Sequence, residues 1–119
     1  MIKGFDKVTL PLNEYERDIL LPIMVNSLIT KIGSKKAVTN VTIVSKLRSI
    51  GHKISEPRVR KIINHIRTHD LIKGIIATSD GYYIAQSRQE YDDYIESLQG
   101  RISAIEQVKE AIIRQKSYL

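Results

Sequence analysis

The sequence has no cysteine, which rules out disulfides and thiolate metal sites and leaves nothing to mark an oxidising compartment. Long apolar runs are also missing. The densest, Ile19 to Val25, is interrupted by Pro22 and is far too short to cross a bilayer. The segment Met1–Asp6 has no apolar stretch of the kind a secretion signal needs. A soluble, cytoplasmic protein with no membrane partner is expected. Catalytic signatures are absent too: there is no cysteine nucleophile, Gly-rich phosphate loop or Gly-x-Ser-x-Gly. The acidic cluster Glu90, Asp92, Asp93 and Glu96 falls on a predicted helix, where solvated polar faces are routine. The expectation is no enzyme and no cofactor.

Acidic residues are scarce in the middle of the chain. Between Lys31 and Lys73 eleven cations stand against only Glu56 and Asp70, a local charge of +9 in a chain of 119 residues whose total is +6. From Ser87 onward the balance is −1. The basic character belongs to one region, as it does where a protein meets a polyanion. A charge run on the solvated face of an ordinary helix is the alternative explanation.

Along the chain, Asn13 and Glu16 have the Asn-x-x-Glu spacing of a helix start, with apolar residues at Tyr15, Ile19, Ile23, Leu28 and Ile32. This predicts a first helix over about 13–32, kinked or broken at Pro22, with Gly33 as its stop. Ala37-Val38-Thr39 fits a short strand. Thr39 or Asn40 can then cap a helix that carries Ile43, Val44, Leu47 and Ile50 on one face and ends at Gly51. Ser55-Glu56-Pro57 opens the next helix, over about 56–69, with proline where a missing N–H does no harm. On it Val59, Ile62, Ile63 and Ile66 share one face, and Arg60, Lys61, Asn64 and Thr68 occupy the other.

Two β-favouring runs, Ile72–Thr78 and Tyr82–Ala85, flank Ser79-Asp80-Gly81, a hairpin signal. Tyr82 and Tyr83 should point to opposite faces, one into the core and one outward. Ser87 and Glu90 form a capping box at the head of a last helix, over about 87–117. Its stripe of Tyr91, Ile95, Leu98, Ile102, Ile105 and Ile112 is interrupted by Lys109, and Gly100 falls on the outer side.

The order is helix, short strand, helix, helix, hairpin, helix: mainly α with a small β-hairpin. It resembles the winged helix-turn-helix DNA-binding family. Val38-Thr39 would be its small strand, Thr42–Ile50 the support helix, Pro57–His69 the recognition helix and Ile75–Ala85 the wing. The segment Ile75–Ala85 is similar to the wing of small winged-helix proteins of phages and mobile elements. The likeness covers about 37–85, within a single domain over 1–119 that adds terminal helices. The link after Gly51 is longer than in the simplest helix-turn-helix.

The resemblance implies double-stranded DNA as partner, in transcriptional regulation or in replication of a phage or mobile element. An α-helix fits the major groove, where arginine and lysine pair with guanine and asparagine with adenine. Arg60, Lys61 and Asn64 are the expected base readers, with Thr68 near the far end and Arg58 and Arg67 flanking toward phosphates. Lys73, Ser79 and Tyr82 could add contacts from the hairpin. His65 and His69 have a helical spacing that can serve a metal, but His-Ile-Arg-Thr-His lacks the glutamate of the zinc motif and no third ligand suggests itself. No metal is expected; His65 is placed at phosphate or solvent and His69 at the core edge. A homodimer through the first and last helices is expected, giving two reading helices for a two-fold site. The alternative is a winged-helix module that binds protein partners without contacting DNA.

Overall fold

The computed structural model describes residues 10–119, so the segment Met1–Asp6 lies outside the described residues. The chain divides into two compact units that part between Gln86 and Ser87, where the last helix begins. The architecture is mainly helical with one two-stranded antiparallel hairpin. Among the described residues no helix is long and apolar enough to cross a membrane.

The Asn13 capping box forms in both directions. Asn13 Oδ1 accepts from the Glu16 N–H at 2.8 Å, and the Asn13 N–H donates to Glu16 Oε1 at 3.0 Å. A π-helical turn, Glu16–Leu20, then runs straight into helix α1, Leu21–Leu28. The Leu21 N–H reaches back five residues to the Glu16 carbonyl. Pro22 sits in the first turn of α1 and cannot donate to a carbonyl four residues back, against which its ring would also press. The widened turn gives the ring room, so the expected kink or break is realised as a π-bulge. The helix ends at Leu28, short of the expected Ile32. Backbone beyond it is claimed by the hairpin edge, where the Ile84 N–H donates to the Lys31 carbonyl and the Gly33 N–H to the Ile84 carbonyl.

A single 3-10 turn, Ser34–Lys36, leads to Val38, whose N–H and carbonyl bond Tyr82 at 3.0 and 2.8 Å. The expected short strand is thus one antiparallel bridge. Helix α2, Asn40–Ser49, is capped by Thr39, whose Oγ1 accepts from the Thr42 N–H. Gly51, at φ +92°, closes it, with the His52 N–H bonded to the Leu47 carbonyl and the Gly51 N–H to that of Arg48. This is the Schellman arrangement that a glycine permits.

Helix α3, Glu56–Thr68, buries Val59, Ile62, Ile63 and Ile66 to 1% exposure or less. Leu20, Met24 and Leu28 from the first helical segment pack with them, as do Ile43 and Leu47 from α2 and Ile75 and Tyr82 from the hairpin. Each fully buried isoleucine contributes roughly 2 kcal/mol of apolar burial. The hairpin pairs β1, Ile75–Thr78, with β2, Gly81–Ile84, in the register Ile76↔Tyr83 and Thr78↔Gly81.

Gly81, at φ +119°, is needed for proximity as well as for conformation, because a Cβ there would lie 2.4 Å from the Val38 carbonyl oxygen. The Asp-Gly signal therefore acts one residue later than in a turn whose two central residues both need positive φ. The second unit is helix α4, Arg88–Gln115, with Ser87 Oγ accepting from the Glu90 N–H, followed by a 3-10 turn, Lys116–Tyr118.

Candidate nucleic-acid interface

Because α3 places its apolar side chains on one face, its polar ones are left to the other. Between that outer face and the hairpin lies an open cleft of about 400 Å³. Ile63, Ala77 and Tyr82 line it together with Arg60, Lys61, Asn64 and Arg67. Four of the eight residues expected at DNA thus come together around one concavity, three of them cations. The Arg60 guanidinium is half exposed and stands 3.8 Å from the Glu56 carboxylate one turn earlier. An exposed pair at that distance is weak and yields to a better-placed anion. Asn64 is exposed, while Lys61 and Arg67 are half-buried along their stems, as long cationic side chains are when their heads reach solvent.

Arg58 is placed elsewhere. Its Nη2 lies 2.6 Å from Glu16 Oε1 and its Nε 2.7 Å from Oε2, while Nη1 and Nη2 also donate to the Leu10 and Pro11 carbonyls, each at 2.9 Å. The two side chains are 14% and 5% exposed. The hydrogen bonds from Arg58 hold the Glu16 carboxyl below the ordinary glutamate range despite its burial, and the bond from Asn13 adds to the effect. Glu16 in turn pushes the guanidinium pKa up. The flanking position read as a phosphate contact is a strut from α3 to the start of the chain's first helical segment. Glu16 is the structural partner of Arg58 that sequence reasoning missed. Its capping role was visible, but nothing in the local pattern points to a cation 42 residues away.

At the far end of α3 the imidazoles of His65 and His69 stack, with centroids 3.9 Å apart and planes 17° from parallel. His69 Nδ1 lies 2.9 Å from the His65 carbonyl. A carbonyl only accepts, so Nδ1 carries the proton. Burial lowers the His65 pKa, and the charges of His69 and Lys61 lower it further. His69 is exposed and His65 half-buried, the reverse of the expected core-edge position for His69. Among the described residues no group of three or more His, Asp or Glu side chains could hold a metal ion.

Thr68 is exposed and its hydroxyl donates to the Asn64 carbonyl at 2.9 Å. Lys73 and Ser79 are exposed on the segments before and between the strands and do not line the cleft. Tyr82, considered as a hairpin contact to DNA, is only 8% exposed, and its hydroxyl donates to Asn40 Oδ1 at 2.9 Å. It forms part of the cleft lining. Its neighbour Tyr83 is half-buried on the opposite face. Comparison with protein-family models finds none that matches the chain, and comparisons with curated proteins and with solved structures find no match either.

Proposed function

We propose that the protein is a winged-helix binder of double-stranded DNA, with α3 as the reading helix and the β1–β2 hairpin as the wing. The observation that carries this reading is the convergence of Arg60, Lys61, Asn64 and Arg67 on one open cleft between α3 and the hairpin. A duplex is a dense line of phosphates, and cations set along it release condensed counterions. A helix in the major groove brings arginine to guanine and asparagine to adenine in bidentate pairs, each worth about 1–3 kcal/mol of discrimination.

Arg60, Lys61 and Asn64 are assigned to base edges and Arg67 to phosphate. His65, Thr68 and Lys73 flank them at the backbone. Arg58 is assigned no DNA contact, because its donors are directed at Glu16 and two backbone carbonyls. The protein works in the cytoplasm, without enzymatic activity, in transcriptional regulation or in replication of a phage or mobile element.

The test is a fluorescence-anisotropy titration of labelled random duplex at rising salt. The expected result is affinity that falls steeply with salt, with a slope about one unit shallower for each phosphate-contacting cation removed. Absence of binding at low salt would refute the reading and favour a protein-binding module.

A further inference from the structure

Helix α4 runs 28 residues, about 40 Å at 1.5 Å per residue, and contains no buried residue. Ile95, Ile102, Ile105 and Ile112 are each between 49% and 68% exposed. Single exposed apolar residues are ordinary, but a stripe of them recurring along one helix face marks a surface that another apolar surface covers. The first helical segment, expected to share in a dimer, has Leu20, Met24 and Leu28 buried in the core of its own unit.

We propose that a second copy of this chain covers the stripe, α4 against α4, in a parallel and in-register two-stranded coil. The spacing identifies the occupant. Tyr91, Leu98, Ile105 and Ile112 recur every seven residues, and Ile95 and Ile102 recur midway between them. These are the d and a positions of a heptad, a pattern that packs on a copy of itself by knobs into holes. Gly100 falls at an outer f position, where a Cβ would meet nothing within 4 Å.

Charge sets the direction. In a parallel coil each g residue faces the e residue five places later on the partner. Arg101 then meets Glu106 of the partner subunit, and Val108 meets Ile113 of the partner subunit. Reversing one helix would set Arg101 against Val108 and Glu106 against Gln99, and both favourable matches would be lost. Lys109 occupies an a position, so a parallel pair brings two ammonium groups to one layer. That layer limits the affinity.

This inference does not rest on the duplex reading. The test uses the full chain, whose lack of cysteine makes single cysteines clean probes. In the parallel coil Ile112→Cys joins two copies by a disulfide under mild oxidation, while Gln107→Cys, at an outer position, does not. In the reversed arrangement the two thiols of Ile112→Cys lie about 25 Å apart, and only a mixture of Ile95→Cys and Ile112→Cys cross-links. Sedimentation equilibrium should show a dimer whose dissociation constant rises about tenfold on Arg101→Glu and returns when Glu106→Arg is added. Lys109→Ile should tighten it at least about tenfold. A monomer at about 100 μM, a concentration at which contacts of about 5.5 kcal/mol would register, overturns the proposal. So does cross-linking confined to the Ile95→Cys and Ile112→Cys mixture.

Discussion

Val59, Ile62, Ile63 and Ile66 of α3 are at most 1% exposed, whereas Ile95, Ile102 and Ile105 of α4, likewise confined to one helix face, are 49% to 68% exposed. The two helices carry one kind of pattern with opposite outcomes. On α3 the apolar face lies against α1, α2 and the hairpin, and the polar face is left outward as a cationic edge. On α4 the apolar face is itself the outward feature. A 3.6-residue period identifies a face and says nothing of what covers it. That depends on the rest of the chain, or on another chain.

The contrast breaks most visibly in the core. Ile62→Ala should lower unfolding free energy by about 2–5 kcal/mol, from lost burial and the cavity left behind. Ile105→Ala should shift the transition of the first unit by less than about 0.5 kcal/mol. Urea denaturation of the two variants measures both, and equal losses would erase the distinction between the helices.

Two arginines two residues apart on α3 sharpen the comparison further. Arg58→Ala leaves Glu16 buried without its cation and should cost about 3 kcal/mol, whereas Arg60→Ala, at an exposed site, should stay within about 0.5 kcal/mol. The same pair predicts a pH response. Because the folded-state pKa of Glu16 is lowered, its contribution is complete above the ordinary glutamate range and is lost as pH falls through the folded value. His65, also lowered, adds a loss of the same sign as pH falls through the ordinary histidine range. The difference between wild type and Glu16→Gln isolates the carboxylate. Stability curves for the two that run parallel into acid would contradict the strut.

Smaller effects are expected at two glycines, and they have opposite signs. Gly81→Ala drives a methyl group toward the Val38 carbonyl at a positive φ and should cost about 2 kcal/mol, seen as a lowered thermal midpoint. Gly100→Ala meets nothing within 4 Å and should stabilise α4 by up to about 1 kcal/mol, read as helical signal retained to higher temperature.

Where local chemistry decides the outcome, the sequence was a reliable guide. The Asn13, Thr39 and Ser87 caps, the Gly51 stop, the α3 core face and the hairpin all follow from side chains acting within a few residues of themselves. Most departures from expectation involve distant partners; the half-buried His65 and exposed His69, stacked within one helical turn, are the exception. The first helix stops at Leu28, short of the expected Ile32, because Ile84 bonds the backbone of Lys31 and Gly33, and Gly81 is needed, beyond its place in the hairpin signal, because Val38 passes beside it. Arg58 turns inward because Glu16 waits 42 residues away. Tyr82 forms part of the cleft lining because Asn40 holds its hydroxyl. Arg60, Lys61 and Asn64 were legible because an outer helix face is defined by the inner one.

The most direct measurement is selection of bound sites from a random duplex library with the full chain, repeated for Arg60→Ala, Asn64→Ala and Arg58→Ala at matched salt and folded fraction. The expected result is an enriched sequence whose preference flattens at single positions on losing Arg60 or Asn64, each by about 1–3 kcal/mol, and persists on losing Arg58. No enrichment, or equal loss from all three variants, would contradict α3 as the reading element.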